Sequence, residues 1–118
     1  SSRYAYYAPE LNLSRGEIFY LRFKAKGEGS LTGAYVRMGT STLISNLALT
    51  TEWQTFSVRT RIDVLHQYNP INRTICFGMG TNSSVGDIIS VSDIEIYSLS
   101  DLFGYDNEPS VTWCNENI

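Results

Sequence analysis

Leu49-Thr50-Thr51-Glu52-Trp53-Gln54-Thr55-Phe56-Ser57-Val58 decides the fold class of this chain. The polar triplet Thr50-Thr51-Glu52 reads as a turn, and beyond it polar and apolar residues alternate through Val64. Successive side chains of a strand project to opposite faces. Phe56, Val58, Ile62 and Val64 therefore take one side, and Thr55, Ser57, Arg59, Arg61 and Asp63 the other. A long strand with one apolar and one polar face belongs to an antiparallel sheet that lies on a core and faces water.

The same period recurs on both sides of this stretch. Between Ile18 and Ala25, Phe19, Leu21, Phe23 and Ala25 oppose Tyr20, Arg22 and Lys24. Gly27-Glu28-Gly29-Ser30 then predicts a turn. From Gly33 to Gly39, Ala34, Val36 and Met38 oppose Tyr35 and Arg37, and residues 42–48 read as a short strand. Residues 65–72 read as a loop, because Asn69 precedes Pro70. A strand from Arg73 to Met79 places Ile75, Phe77 and Met79 inward, and residues 80–86 form a polar loop. Between Asp87 and Leu99 the apolar phase changes, with Ile89 and Val91 on one count and Ile94 and Ile96 on the other. That change predicts a β-bulge near Ser92–Asp93. Residues 1–9 are a tyrosine-rich extended piece ended by Pro9. No stretch shows a helical period of useful length, and no repeat is present. The expectation is an all-β, two-layer antiparallel β-sandwich over residues 1–99, followed by an acidic C-terminal tail over 100–118.

Length and charge narrow the function classes. At 118 residues the chain is one domain. It holds no run of eighteen apolar residues, so membrane insertion is not expected. No basic segment followed by an apolar core opens it, so no leader is expected in this chain. Residues 1–73 carry +4 (nine bases against five acids), whereas residues 74–118 carry −7 with no base. An acidic chain without a basic cluster is not expected to bind nucleic acid. Cys76 and Cys114 form neither a zinc pattern nor a disulfide framework; a bridge between them and two free thiols are both open. Three Asn-x-Ser/Thr triplets, at Asn12, Asn72 and Asn82, are close to what composition alone produces. One histidine, no nucleophile elbow, no phosphate loop and no metal-ligand cluster argue against an enzyme.

Four segments, taken in order, resemble the carbohydrate-binding modules with a galactose-binding-like jelly-roll fold, the type appended to glycoside hydrolases and phage tail proteins. They are the loop and strand Leu11 to Gly27, the Leu49–Val58 stretch, Thr74 to Gly80, and Asp87 to Tyr97. Together they span about residues 11 to 99. The resemblance implies a jelly roll whose first strand is either replaced by residues 1–9 or absent from this chain. It also implies a polysaccharide or cell-surface glycan as partner, bound on a sheet face or at the loops of one end. The parent protein would then be extracellular or part of a virion, such as a tail fibre or appendage attaching to its host. In some relatives a structural calcium is held near the closing strand, which would make Asp87 or Asp93 its acid here; no other cofactor is implied.

Aromatic rings stack on the apolar faces of sugars, while arginine and amide side chains bond hydroxyls. On the expected outer face these residue types are Tyr20, Arg22, Tyr35, Arg37, Arg59 and Arg61, a set suited to a polar or anionic glycan. The competing reading of the same residues is a solvated sheet face with cross-strand charge pairs. Trp53 reads first as a residue packed at the sandwich edge and second as a stacking platform. His66 and Tyr68 are loop residues at the end of the sandwich. A different class of function is a structural or assembly domain that trimerises or caps a fibre. It would bury Tyr4, Tyr6, Tyr7, Phe103, Tyr105 and Trp113 between protomers; a homotrimer or neighbouring domains of the parent protein are its possible partners.

Overall fold

Phe19, Leu21, Phe23 and Ala25 alternate with polar residues along an eleven-residue strand, and that strand organises the molecule. The computed structural model describes residues 4–7, 16–29, 33–38, 41–61, 75–80 and 85–118. Among these are seven strands: β1 (Tyr4–Tyr7), β2 (Ile18–Glu28), β3 (Tyr35–Met38), β4 (Ser41–Ile44), β5 (Gln54–Arg61), β6 (Ile75–Gly78) and β7 (Ile88–Ser98). Two helices follow, α1 (Leu99–Phe103) and α2 (Val111–Asn117). One sheet runs β1-β6-β3-β4 and the other β5-β2-β7, with every neighbouring pair antiparallel. The chain changes sheet at each connection except β3 to β4. The architecture is an all-β, two-layer antiparallel sandwich.

The core lies between the sheets. Phe19, Leu21, Phe23 and Ala25 of β2 meet Val36 and Met38 of β3 and Ile75 and Phe77 of β6. Phe23 is at its centre, stacked on Phe56 of β5 (centroids 5.6 Å apart) and edge-on to Phe77 across the sandwich at 5.2 Å. Full burial of such a ring stabilises by roughly 1.5–3 kcal/mol, and the ring pairs add to it. Phe56 and Val58 face this core while Thr55, Arg59 and Arg61 are exposed, as the alternation expects. Ile62 and Val64 lie outside the described residues.

The phase change in β7 is a bulge. Arg22 pairs with Glu95 but Lys24 pairs with Ser92, so β7 carries one extra residue opposite Phe23. Asp93 takes it up with φ at 52°, a left-handed conformation that aspartate tolerates better than most residues. Ile89, Val91, Ile94 and Ile96 consequently all reach the core despite their mismatched count.

Beyond residue 99, where the sequence suggests a tail, the structure has a helical cap. Ser98 caps α1 by accepting from the Asp101 N–H, and Ser110 caps α2 by accepting from the Trp113 N–H, each at 3.1 Å. Leu99 and Cys114 pack on Tyr20 to form a second apolar cluster with Ile18, Tyr97, Val111 and Ile118. This cluster sits on the outer face of β2. Cys76 and Cys114 are free and buried, and burial pushes both thiols above their ordinary pKa. Among the described residues no helix is long and apolar enough to cross a membrane.

Candidate functional site

The six residues expected to share one outer face do not. Tyr35 and Arg37 belong to β3, and Tyr20, Arg22, Arg59 and Arg61 to the opposite sheet, so the two groups look out from opposite sides of the sandwich. A continuous Tyr/Arg surface is therefore corrected to two separate surfaces. On β3, Tyr35 lies over Gly78: a Cβ there would fall 2.0 Å from the ring. Arg37 in turn stacks on Tyr35, its guanidinium 4.3 Å from the ring centroid.

On the other sheet, strand register arranges the outer face of β5-β2-β7 in cross-strand rows. Arg61 pairs with Ile18; Arg59, Tyr20 and Tyr97 form the next row, then Ser57, Arg22 and Glu95, then Thr55, Lys24 and Ser92. The helical cap packs on Ile18, Tyr20 and Tyr97 of the first two rows, while Arg59 and Arg61 at their β5 end stay exposed. Tyr20 is fully buried there, which corrects its expected exposure. The Tyr20 hydroxyl donates to Asn115 Oδ1 at 2.6 Å, and Arg59 Nε donates to the Pro109 carbonyl at 2.9 Å. Ser100 Oγ accepts from the Ile18 N–H at 2.9 Å and donates to Glu108 at 2.8 Å. That hydroxyl, first among several bonds, holds the Glu108 carboxyl below its usual pKa. Glu17 accepts from Ser98 Oγ at 2.6 Å, which ties the start of β2 to the start of α1.

The next two rows are open. They form a cleft of about 710 Å³ lined by Arg22, Lys24, Thr55, Ser57, Asp93, Glu95 and Asn115, with Phe23 and Ile94. That volume lies in the range of small-molecule binding sites. Arg22 Nε and Nη2 lie 2.7 and 2.6 Å from Glu95 Oε2, and Nη1 donates to the Ile118 carbonyl. The bond to Glu95 raises the Arg22 pKa against the opposing effect of burial. Lys24 Nζ lies 3.4 Å from Asp93 Oδ2. Asn115 forms the wall toward the cap. Because its Oδ1 accepts from Tyr20, its amide nitrogen is the group left to donate.

Trp53 stands beside the open rows. It precedes β5 and is 47% exposed, with Lys26 Nζ 4.9 Å over its ring. Lys26 shares the outer face with Lys24 and Arg22, so Trp53 flanks the cleft on the side away from the cap. Edge packing, the first reading of this residue, gives way to an exposed ring.

No protein-family model matches the chain, and no curated protein matches it. The chemistry of the cleft therefore rests on its own geometry: hydroxyl, amide and paired charged groups on a sheet face beside an exposed indole. Of the expected binding residues only Arg22 lines it. Thr55 and Ser57, on the face that the alternation of β5 expects to be polar, also line it, and Asn115 comes from α2, for which the sequence carries no periodic signal. Asp87 lies against Gly29 and Asp93 pairs with Lys24. Among the described residues no three His, Cys, Asp or Glu groups cluster in a way that could hold a metal ion. Expectations for His66, Tyr68 and the side chains of Tyr4, Tyr6 and Tyr7 lie outside the described residues.

Proposed function

We propose that this chain is a non-catalytic carbohydrate-binding domain of the jelly-roll type, and that the cleft on β5-β2-β7 is its site. The observation that carries this reading is the pairing of an open polar cleft with the exposed Trp53 ring on one sheet face. Sugar recognition needs both: an apolar ring for the C–H face of a pyranose, and dense hydrogen-bonding groups for its hydroxyls. In the contexts that the sequence resemblance implies, the glycan belongs to a host cell surface and the domain to a phage tail fibre or appendage. The test is a glycan array read with the wild-type chain, Trp53→Ala and Arg37→Ala. Binding that falls at least about tenfold in Trp53→Ala, equivalent to roughly 1.4 kcal/mol, and persists in Arg37→Ala supports the site. Equal loss in both variants, or binding to no glycan, refutes it.

A second reading, an assembly domain joining copies of the chain in a fibre, is favoured by one feature of the cap. Leu102, Phe103, Tyr105 and Trp113 are exposed large apolar residues within twelve positions of one another, and Phe103 packs edge-on against Trp113 at 5.4 Å. Surfaces of this kind mark contacts more often than bare solvent exposure. Sedimentation equilibrium separates the readings: a concentration-independent trimer that Trp113→Ser dissociates favours assembly, and a monomer excludes it.

A further inference from the structure

From the charge arrangement of the cleft we infer that its ligand is a neutral glycan and not an anionic one, an inference that rests on the carbohydrate-binding reading above. The two cations in the lining come from β2 and the two acids from β7, and they meet in pairs. Arg22 directs Nε and Nη2 at Glu95 Oε2 and spends Nη1 on the Ile118 carbonyl. Lys24 Nζ lies 3.4 Å from Asp93. Lys26, the next cation along β2, is over the Trp53 ring and not in the cleft lining.

A carboxylate or sulfate group entering the cleft would meet cations already paired, Arg22 with Glu95 and Lys24 with Asp93, and would have to share them with those acids. It would then lie within a few ångströms of both acids, whose like charge opposes it and lowers any gain from the cations. Hydroxyls meet no such cost. They can donate to carboxylate oxygens of Asp93 and Glu95 that already hold a cation, and accept from Ser57, Thr55 and the Asn115 amide. The arginine here acts as a positioning residue that fixes Glu95 as an acceptor.

The test is affinity electrophoresis of the full chain through gels containing dextran, galactomannan or glucomannan on one side and polygalacturonate or alginate on the other. The expected result is retardation by at least one neutral polymer, with a Kd that changes less than about twofold between low and high salt, since screening has no net ligand charge to act on. The double variant Asp93→Asn, Glu95→Gln should gain binding to polygalacturonate by about tenfold or more, and salt should abolish that gain. Asparagine tolerates the left-handed backbone at position 93, so the bulge is kept. Wild-type retardation by the uronate polymers that Trp53→Ala removes would overturn neutral selectivity and leave the carbohydrate reading standing. A folded double variant that gains nothing would also overturn it. Retardation by none of the five polymers, joined to a blank glycan array, would overturn both. Should the double variant fail to fold, the salt dependence of the wild type decides by itself.

Discussion

Strand β2 presents two stretches of outer face that alternate identically in sequence and have opposite fates. Tyr20 is sealed beneath the helical cap and Ile18 is partly covered by it, whereas Arg22, Lys24 and Lys26 look into or beside an open cleft. Outward on a sheet is thus not the same as exposed. The residues after β7 determine which part of the face is roofed, and the boundary runs through Asn115 and Arg22, each of which touches both sides.

Substituting Tyr20 breaks the comparison most severely. Tyr20→Ala hollows the cluster under the cap and should cost about 3–5 kcal/mol, as aromatic-to-alanine changes in cores do, measured by chemical denaturation. Tyr20→Phe keeps the ring and should cost only about 0.5–1.5 kcal/mol for the bond to Asn115; a loss as large as that of alanine would show that the hydroxyl, not the packing, holds the cap. Arg22→Met tests the boundary itself. It removes the link between β7 and Ile118 and should cost about 1–2 kcal/mol, a figure already reduced for partial exposure of the ion pair.

Acid should weaken one contact of the roofed part, the bond between Ser100 and Glu108. The Glu108 pKa is lower in the folded chain than its ordinary value of 4.5, chiefly through the Ser100 hydroxyl. Its contribution is therefore fully present above 4.5 and is lost as pH falls through the folded value. In the Trp53→Ala background, Trp113 emission should report a loosening of the cap in that window, and Glu108→Gln should flatten the profile. The smallest effect on stability is expected at Trp53. Trp53→Ala should shift unfolding by no more than about 0.5 kcal/mol, as exposed positions do, while abolishing glycan retention. A large destabilisation would return Trp53 to the role of edge packing.

Much of this molecule is legible in its sequence. The alternation of Phe19, Leu21, Phe23 and Ala25 identifies β2 and its inner face, and the mismatch between Val91 and Ile94 locates the bulge that Asp93 absorbs. The helices escaped because five and seven residues are too few to show a 3.6-residue period. Their signals were local: Ser98 three residues before Asp101, Ser110 three before Trp113, and Gly104 closing α1 with φ at 92°.

The sequence by itself determined which residues face inward, because strand alternation is a property of the local backbone and apolar burial enforces it in each strand separately. Only the tertiary structure decided the rest. Tyr20 is core and Trp53 is surface, Arg22 is committed to Glu95, and Tyr35 and Arg37 belong to the far side of the sandwich. Each of these depends on which distant segment packs against a face, and a period of two residues carries no record of that.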